Sequence, residues 1–195
     1  MASGTPDVIA AVESAYHQHF ETTPARASVS FVGVDPIEIL AFRQGDSDGP
    51  RVTSYLSLGM SRYPMTAGDS DAISVDGPRA ELMLVASGDS DEAWRRLAIL
   101  AAAPSVESVV YAREARVDLG EPWLPGSRCT GVIVIDGPLE AVTVGDVTVD
   151  VFQLIPASQT ELAWARVHGS TALLERWTAA GTNLTDLHRE PVPLD

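Results

Sequence analysis

The sequence of 195 residues contains no lysine and one cysteine, Cys129. A single cysteine cannot form an internal disulfide, and such usage is typical of proteins from a reducing compartment. No apolar run approaches the ~20 residues that a membrane span needs, and the start MASGTPDVIA lacks the features of an export signal. We therefore expect a cytoplasmic protein that does not act on a membrane.

Positive charge is also scarce, since 13 basic residues stand against 27 acidic ones and give a formal net charge of −14. This charge opposes binding to nucleic acid or to an anionic membrane surface. It favours a basic protein partner. The same excess of acidic residues is equally explained if the charge only keeps the protein soluble.

Signals for catalysis and metal binding are missing as well. Ser61 lies in GMSRY and not in the G-x-S-x-G motif of a nucleophile elbow. His17 and His19 fall in a predicted helix, where side chains two positions apart point about 200° away from each other. His168 and His188 add no further zinc motif. We expect no catalytic residue, no metal and no cofactor. An uncharacterised hydrolase is the least favoured alternative, and it is kept because the abundant acidic residues could supply a catalytic pair.

The tetrapeptide GDSD recurs at 45–48, 68–71 and 88–91, which raises the question of calcium binding. None of the three copies extends to the EF-hand pattern with its distal glutamate. We interpret them as turns and helix starts, with Asp89 and Glu92 forming a capping box at the third.

The stretch RVTSYLSLGMSRYPM, residues 51–65, gives the clearest local prediction. Alternation over 52–58 predicts a half-buried strand, and Gly59 and Pro64 predict an ordered loop after it. The remaining strands are predicted at 28–34, 37–44, 79–86, 130–135 and 147–155, with a hairpin joining the second of these to 52–58.

Three helical regions are predicted from capping residues and apolar periodicity. The first begins at a Thr5 cap followed by Pro6, and the second runs from Ser90 to Ala103 and ends at Pro104. The third, 158–180, opens with a Ser158 and Glu161 capping box and is either two helices divided at Gly169 or one kinked helix. The end of the chain, EPVPLD, is expected to be frayed or to lie on the surface.

Three individual residues have a structural and a functional interpretation. Glu81 stands in the apolar strand RAELMLVA, so it either faces solvent or is paired within the sheet. Trp123, in the loop LGEPWLPGS, is interpreted as filling the edge of the core, with an exposed partner anchor as the alternative. Cys129 precedes the apolar run TGVIVI and is expected to be a buried small residue rather than a nucleophile.

Taken in order, the segments GMSRYPM, RAELML, AWRRLAILAAAP, LGEPWLPGS and TELAWARVHGSTALLERW resemble the suppressor of fused domain family in its short bacterial form. The resemblance covers residues from about Ala27 to about Leu187. It implies an α+β domain with a mixed, largely antiparallel sheet and flanking helices. We divide the chain into an N-terminal helix and connection at 1–26, which belongs to the same domain, the domain proper at 27–187, and a tail at 188–195.

The resemblance also implies a function without catalysis. Animal relatives sequester zinc-finger transcription factors and hold an extended peptide by strand addition, whereas bacterial members resemble immunity proteins of polymorphic toxin systems. The expected function is therefore a non-enzymatic, protein-binding immunity protein that neutralises a toxin, which the acidity would suit if the toxin is basic. The alternative is a regulatory domain that captures an extended peptide by strand addition near Tyr55, Ser57 and the GMSRYPM loop. The candidate partner contacts are Tyr55, Ser57, Met60, Tyr63, Met65, Glu81 and Trp123.

Overall fold

An eight-stranded mixed sheet organises the residues that this computed structural model describes, which are 7–45, 51–67 and 77–194. The strands are β1 (Ala25–Val29), β2 (Ile37–Gln44), β3 (Val52–Leu58), β4 (Arg79–Ser87), β5 (Arg116–Asp118), β6 (Cys129–Asp136), β7 (Val142–Val144) and β8 (Val147–Ser158). The helices are α1 (Val8–His19), α2 (Asp91–Glu107), α3 (Gln159–His168) and α4 (Ser170–Ala179), with a short 3₁₀ helix at Met60–Arg62. Within the described ranges, no helix combines the length and the hydrophobicity that spanning a membrane requires.

The strand order is β1-β2-β3-β4-β8-β6-β5, and β7 pairs with β8 outside this path. The first four strands are consecutive antiparallel neighbours, whereas β8 lies between β4 and β6. Its pairing with β4 is parallel, with Glu81 opposite Val151. The other strand pairs in the described ranges are antiparallel. The predicted mixed, largely antiparallel α+β architecture is therefore confirmed.

Helices cover both faces of the central strands. Leu82 and Leu84 of β4 pack in one apolar cluster with α2, and Met83 packs in a second cluster with α1. A third cluster joins α3 and α4 to β6 and β8, around Ile133 and Trp177. Because both faces of the sheet are covered, β3 is buried from Thr53 to Leu58, and the prediction that this strand is only half-buried is wrong.

Most strand predictions are confirmed. The strand at 37–44 has the predicted bounds, and those at 79–86, 130–135 and 147–155 lie within β4, β6 and β8. The pairing of β2 with β3 confirms the hairpin, although the GDSDGP turn lies largely outside the described residues, as does the GDSD copy at 68–71. The strand predicted at 28–34 is instead β1, Ala25–Val29, because a turn with Gly33 at a φ of 79° follows it.

At the starts of α1 and α2, the side chain that forms the cap differs from the predicted one. Asp7 caps α1 by accepting a hydrogen bond from Ala10 N at 3.1 Å, while Thr5 and Pro6 lie outside the described residues. Ser90, not Asp89, caps α2. Asp89 is already engaged, since it accepts a hydrogen bond from Thr53 at 2.8 Å and pairs with Arg43 at 2.8 Å.

Proline does not end α2, contrary to the prediction. Pro104 lies inside the helix, which continues to Glu107 and ends at Ser108 in a left-handed conformation. A proline has no N–H for the carbonyl four residues earlier, which here is that of Leu100. The hydroxyl of Tyr111 donates to Leu100 O at 2.8 Å and satisfies this carbonyl, so the helix tolerates the proline.

The C-terminal region forms two helices and a packed tail. Both hydrogen bonds of the Ser158 and Glu161 capping box are present, and Gly169, with a φ of 93°, separates α3 from α4. The prediction of a frayed or surface-lying EPVPLD end is wrong for Val192, which is buried, and the preceding Arg189 is buried as well. They are held by Glu161, as described below.

Candidate functional site

The loop that follows β3 folds around one buried carboxylate, that of Glu81 on β4. Gly59 has a φ of 124°, which side-chain-bearing residues rarely adopt, and a Cβ added there would lie 3.1 Å from Pro36 O. The tight turn and the 3₁₀ helix at Met60–Arg62 direct the N–H groups of Gly59 and Ser61 towards Glu81. Glycine and the loop geometry therefore create a binding position for a carboxylate inside the protein.

Glu81 accepts four hydrogen bonds and is fully buried. Its Oε1 accepts from Gly59 N at 2.9 Å, Ser61 N at 2.9 Å and Ser61 Oγ at 2.7 Å, and its Oε2 accepts from Ser57 Oγ at 2.5 Å. Of the two interpretations of Glu81, pairing within the sheet is the correct one. Ser57 Oγ also accepts from Leu82 N at 2.8 Å, which ties the end of β3 to β4.

Two further side chains connect this cluster to the surrounding elements. Arg79 Nη1 donates to the carbonyl oxygens of Ser61 at 2.9 Å and Arg62 at 2.5 Å. The hydroxyl of Tyr16 on α1 donates to Ser57 O at 2.9 Å. Burial, and to a smaller extent the nearby charge of Glu81, raise the pKa of Tyr16 well above its ordinary value. The Glu81 cluster therefore joins α1, β3, β4 and the loop, and its serines have no solvent-exposed surface to offer a substrate.

Of the seven candidate partner contacts, six have buried side chains, namely Tyr55, Ser57, Met60, Met65, Glu81 and Trp123. Tyr55 accepts a hydrogen bond from Ser90 N at 2.8 Å, and Met60 and Met65 pack in the core cluster of α2. Trp123 Nε1 donates to Gly131 O at 3.2 Å, so this side chain fills the core. Tyr63 differs, since 57% of it is exposed.

Tyr63 lies on an open cleft of about 580 Å³ between the loop after β3, the loop before β2 and the end of α2. Its hydroxyl donates to Asp35 Oδ2 at 2.7 Å, and Arg62 Nε lies 3.7 Å from the same oxygen. The hydrogen bond to Asp35, and next its charge, raise the pKa of Tyr63. Val32 of the same loop is fully exposed. Sequence reasoning missed Val32 because it assigned residues 28–34 to a strand, and no sequence signal marked Asp35, which follows that range.

A second buried carboxylate, Glu161, was predicted only as part of a capping box. Its carboxylate accepts a hydrogen bond from Ser158 N at 2.8 Å. It also accepts hydrogen bonds from Trp177 Nε1 at 2.8 Å, Arg189 Nη1 at 2.8 Å and Val192 N at 3.0 Å. Arg189 Nη2 also donates to Pro156 O at 2.8 Å. This cluster fixes the C-terminal segment on α3, α4 and β8.

The histidines and the cysteine have ordinary structural surroundings. The ring of His17 contacts that of Phe42, and the ring of His19 contacts that of Phe20. Across the described residues, no three His, Cys, Asp or Glu side chains lie together in a group that could hold a metal ion. Cys129 is buried, as predicted, and burial raises the pKa of its thiol.

Comparison with known families identifies this arrangement. The model of the family described as suppressor of fused protein (SUFU) matches residues 33–190. The chain belongs to the suppressor of fused family. No curated protein sequence matches it significantly.

Three solved structures share the suppressor of fused fold with this chain. A SUFU homologue from Neisseria gonorrhoeae is 18% identical with a TM-score of 0.71, over 97% of this chain and 98% of that one. Drosophila Suppressor of Fused is 14% identical with a TM-score of 0.72, over 98% of this chain and 52% of that one. A chain in the crystal structure of the Sufu–Fu complex is 14% identical with a TM-score of 0.69, over 96% of this chain and 93% of that one. Identities this low show a shared fold, and function has to be argued from the site.

Proposed function

We propose that this chain is a non-enzymatic protein-binding domain that serves as an immunity protein, neutralising a toxin of a polymorphic toxin system by direct binding. Membership of the suppressor of fused family supports a binding role, since a chain with this fold occurs in the Sufu–Fu complex. The proposal for a toxin partner goes further and rests on the surface and charge of this chain.

The exposed ring of Tyr63 is the observation that carries the proposal. Tyrosine is enriched among residues that dominate binding energy, because its ring offers a large apolar area and its hydroxyl a hydrogen bond. Tyr63 and Asp35 line an open cleft, and the hydrogen bond between them holds the phenol in place. A ring that is ordered before binding loses less entropy when a partner covers it.

The charge of the chain indicates the kind of partner. A net charge of −14 accelerates encounter with a basic protein and slows encounter with an acidic one. A basic toxin domain fits this charge, and inhibition by covering such a toxin requires no chemistry from the immunity protein.

The Glu81 cluster supports a non-enzymatic role. A hydrolase that used Ser61 with Glu81 would need the serine hydroxyl within reach of a substrate. Both side chains are fully buried, and four hydrogen bonds already occupy the carboxylate.

The test is to search the genes that flank this one for a secreted multidomain toxin and to produce this chain in cells together with its toxin domain. We expect protection of the cells and co-purification of the two proteins, and we expect Tyr63→Ala to weaken both. The control is Val167→Ala, which truncates another exposed apolar side chain, on α3. If the chain neither protects nor co-purifies, the immunity function is wrong.

A regulatory domain that captures an extended peptide by strand addition is the second candidate. Both neighbours of β3 are strands, so Tyr55 and Ser57 cannot receive an added strand. In the described part of the chain, β1 has no strand on its outer edge, and it borders a groove of about 150 Å³ that reaches Tyr55 and Trp94. A short extended peptide should then shift the amide signals of Ala25–Val29. If it shifts none of them, strand addition at β1 is wrong.

A further inference from the structure

A groove of about 230 Å³ lies between the second half of α2 and the edge strand β5. Apolar side chains line it from both sides: Ile99 and Leu100 on α2, Val109 after the helix, and Val117 and Leu119 on and after β5. Ile99 is 56% exposed, which is unusual for an isoleucine. We call this feature the α2–β5 groove.

Acidic residues surround the α2–β5 groove. Glu107, Asp118 and Glu121 all border it and are exposed. Arg96 is the basic residue of the lining, and it is already engaged, with Nη1 2.8 Å from Glu121 and Nε 3.5 Å from Glu92. The groove therefore combines an apolar interior with a rim of negative charge.

We propose that the α2–β5 groove docks a basic segment of a protein partner, which places one apolar side chain between Ile99 and Leu119 and its positive charges against the acidic rim. This inference rests on the proposed protein-binding function and names a surface and a partner chemistry for it. It concerns a surface separate from the cleft at Tyr63, because the two are lined by different residues.

The size of the groove fits one apolar side chain. An apolar cavity of about 150 Å³ is large enough to hold a benzene molecule. The α2–β5 groove exceeds this volume and is open to solvent, so a leucine or an aromatic ring enters it without rearrangement of the helix.

The negative charge of the rim favours some occupants of the α2–β5 groove over others. A second copy of the chain would bring another net charge of −14 to an acidic rim, which like-charge repulsion disfavours. Nucleic acid and anionic lipid carry the same sign of charge as the rim. A basic segment with an apolar side chain is the occupant whose charge and polarity both match.

The probe for this site is a short synthetic peptide in which a central leucine is flanked by two arginines on each side. In a methyl-detected NMR titration we expect saturable shifts of Ile99, Val109, Val117 and Leu119. A peptide with glutamates in place of the arginines, and one with alanine in place of the leucine, should bind at least about tenfold more weakly.

Variants of this chain test whether the peptide binds in the α2–β5 groove. Ile99→Arg places a positive charge in the groove at an exposed position and should weaken binding of the basic peptide by about tenfold, whereas Val167→Arg on α3 should not. Glu107→Gln with Asp118→Asn should weaken binding and reduce its dependence on salt. The matched control is Glu140→Gln with Asp146→Asn, which removes two exposed acids elsewhere on the surface.

Several results would overturn the proposal: no saturable shift at millimolar peptide, equal binding of the glutamate peptide, or equal losses in the control variants. Concentration-dependent dimers that involve Ile99 would assign the groove to a second copy and also overturn it. The peptide titration does not use the toxin, so loss of protection with intact peptide binding contradicts the immunity function alone. Protection without peptide binding contradicts the docking groove alone.

Discussion

Glu161 and Arg189 form a buried ion pair, with 2.8 Å between Oε1 and Nη1. The two residues are 28 positions apart, and the pair joins the first turn of α3 to the C-terminal segment. Ser158, Trp177 and Val192 donate to the same carboxylate, so little of its hydrogen-bonding capacity is left unused.

Arg189→Met should destabilise the protein by about 3–5 kcal/mol, because it leaves a buried carboxylate without its cation. Chemical denaturation measures this change as a loss in the free energy of unfolding. The control is Arg128→Met, since Arg128 is exposed and lies 3.9 Å from Glu190. We expect the control to change stability by less than about 0.5 kcal/mol. Similar losses in the two variants would show that Arg189 contributes no more than a surface arginine.

The same carboxylate should make stability depend on pH. Burial tends to raise the pKa of Glu161, but the hydrogen bonds from Arg189, Ser158, Trp177 and Val192 outweigh it and hold this pKa below the ordinary 4.5. The folded state therefore binds this proton less readily than the unfolded state, so the stabilisation is complete above about pH 4.5 and is lost as the pH falls further.

Glu161→Gln removes the titrating group and should flatten this part of the stability curve. Denaturation series at several pH values between about 3 and 7 measure the slope. Asp146→Asn, on an exposed turn, is the control and should leave the slope unchanged. An unchanged slope in Glu161→Gln would contradict the assignment.

Glu81→Gln should cost about 2–3 kcal/mol of stability, because a neutral amide replaces a carboxylate that accepts four hydrogen bonds. Ser61→Ala removes one of those donors and should cost about 1 kcal/mol. Both variants are compared with the parent by urea denaturation at constant m value. A Glu81→Gln variant as stable as the parent would show that the cluster does not stabilise the loop.

Gly131→Ala should destabilise the protein by at least about 1–3 kcal/mol. A Cβ at this position would lie 2.4 Å from Val117 O and 2.5 Å from Leu162 Cδ1, so β5 or α3 has to move. The neighbouring Thr130 is the control, because its buried hydroxyl has no hydrogen-bond partner among the described residues. Thr130→Val should be neutral or stabilising. Thermal unfolding of the two variants distinguishes them, and a stable Gly131→Ala protein would contradict the close packing.

Tyr63→Ala and Tyr55→Ala should separate binding from stability. Tyr63 is exposed, so its truncation should change stability by less than about 0.5 kcal/mol while weakening toxin binding by about 2 kcal/mol or more. Tyr55 is buried and accepts from Ser90 N, so its truncation should lower stability by about 3 kcal/mol. Calorimetric titration and denaturation measure the two effects. Unchanged toxin affinity in Tyr63→Ala would remove the cleft from the proposed interface.

Local patterns predicted the elements well because each depends on neighbouring residues. The strand predicted at 52–58, the break at Gly59 and the capping box at Ser158 are all confirmed in the structure, although β3 does not show the alternating burial that the sequence pattern indicated. Helix ends were less predictable, because tertiary contacts decide them. Asp89 cannot cap α2 while it pairs with Arg43, and Tyr111 lets the helix pass Pro104.

The candidate site was less predictable, because burial is a property of the whole fold. Nothing in the alternation of β3 indicates that helices cover both of its faces, which is why Ser57 and Tyr55 were candidate contacts although both are buried. The α2–β5 groove joins residues from Ile99 to Leu119, and no motif links them. Likewise, no local sequence pattern indicates that Glu161 pairs with Arg189.

The position of β8 between β4 and β6 also bears on how the chain is made. Strands β1 to β4 pair with sequential neighbours, so this part of the sheet can form while synthesis continues. Until β8 has left the ribosome, however, the inner edge of β4 has no partner strand, and nearly sixty residues separate the two. An unpaired apolar edge is a site of misassembly. Nascent chains that stop before β8 should therefore aggregate or recruit chaperones.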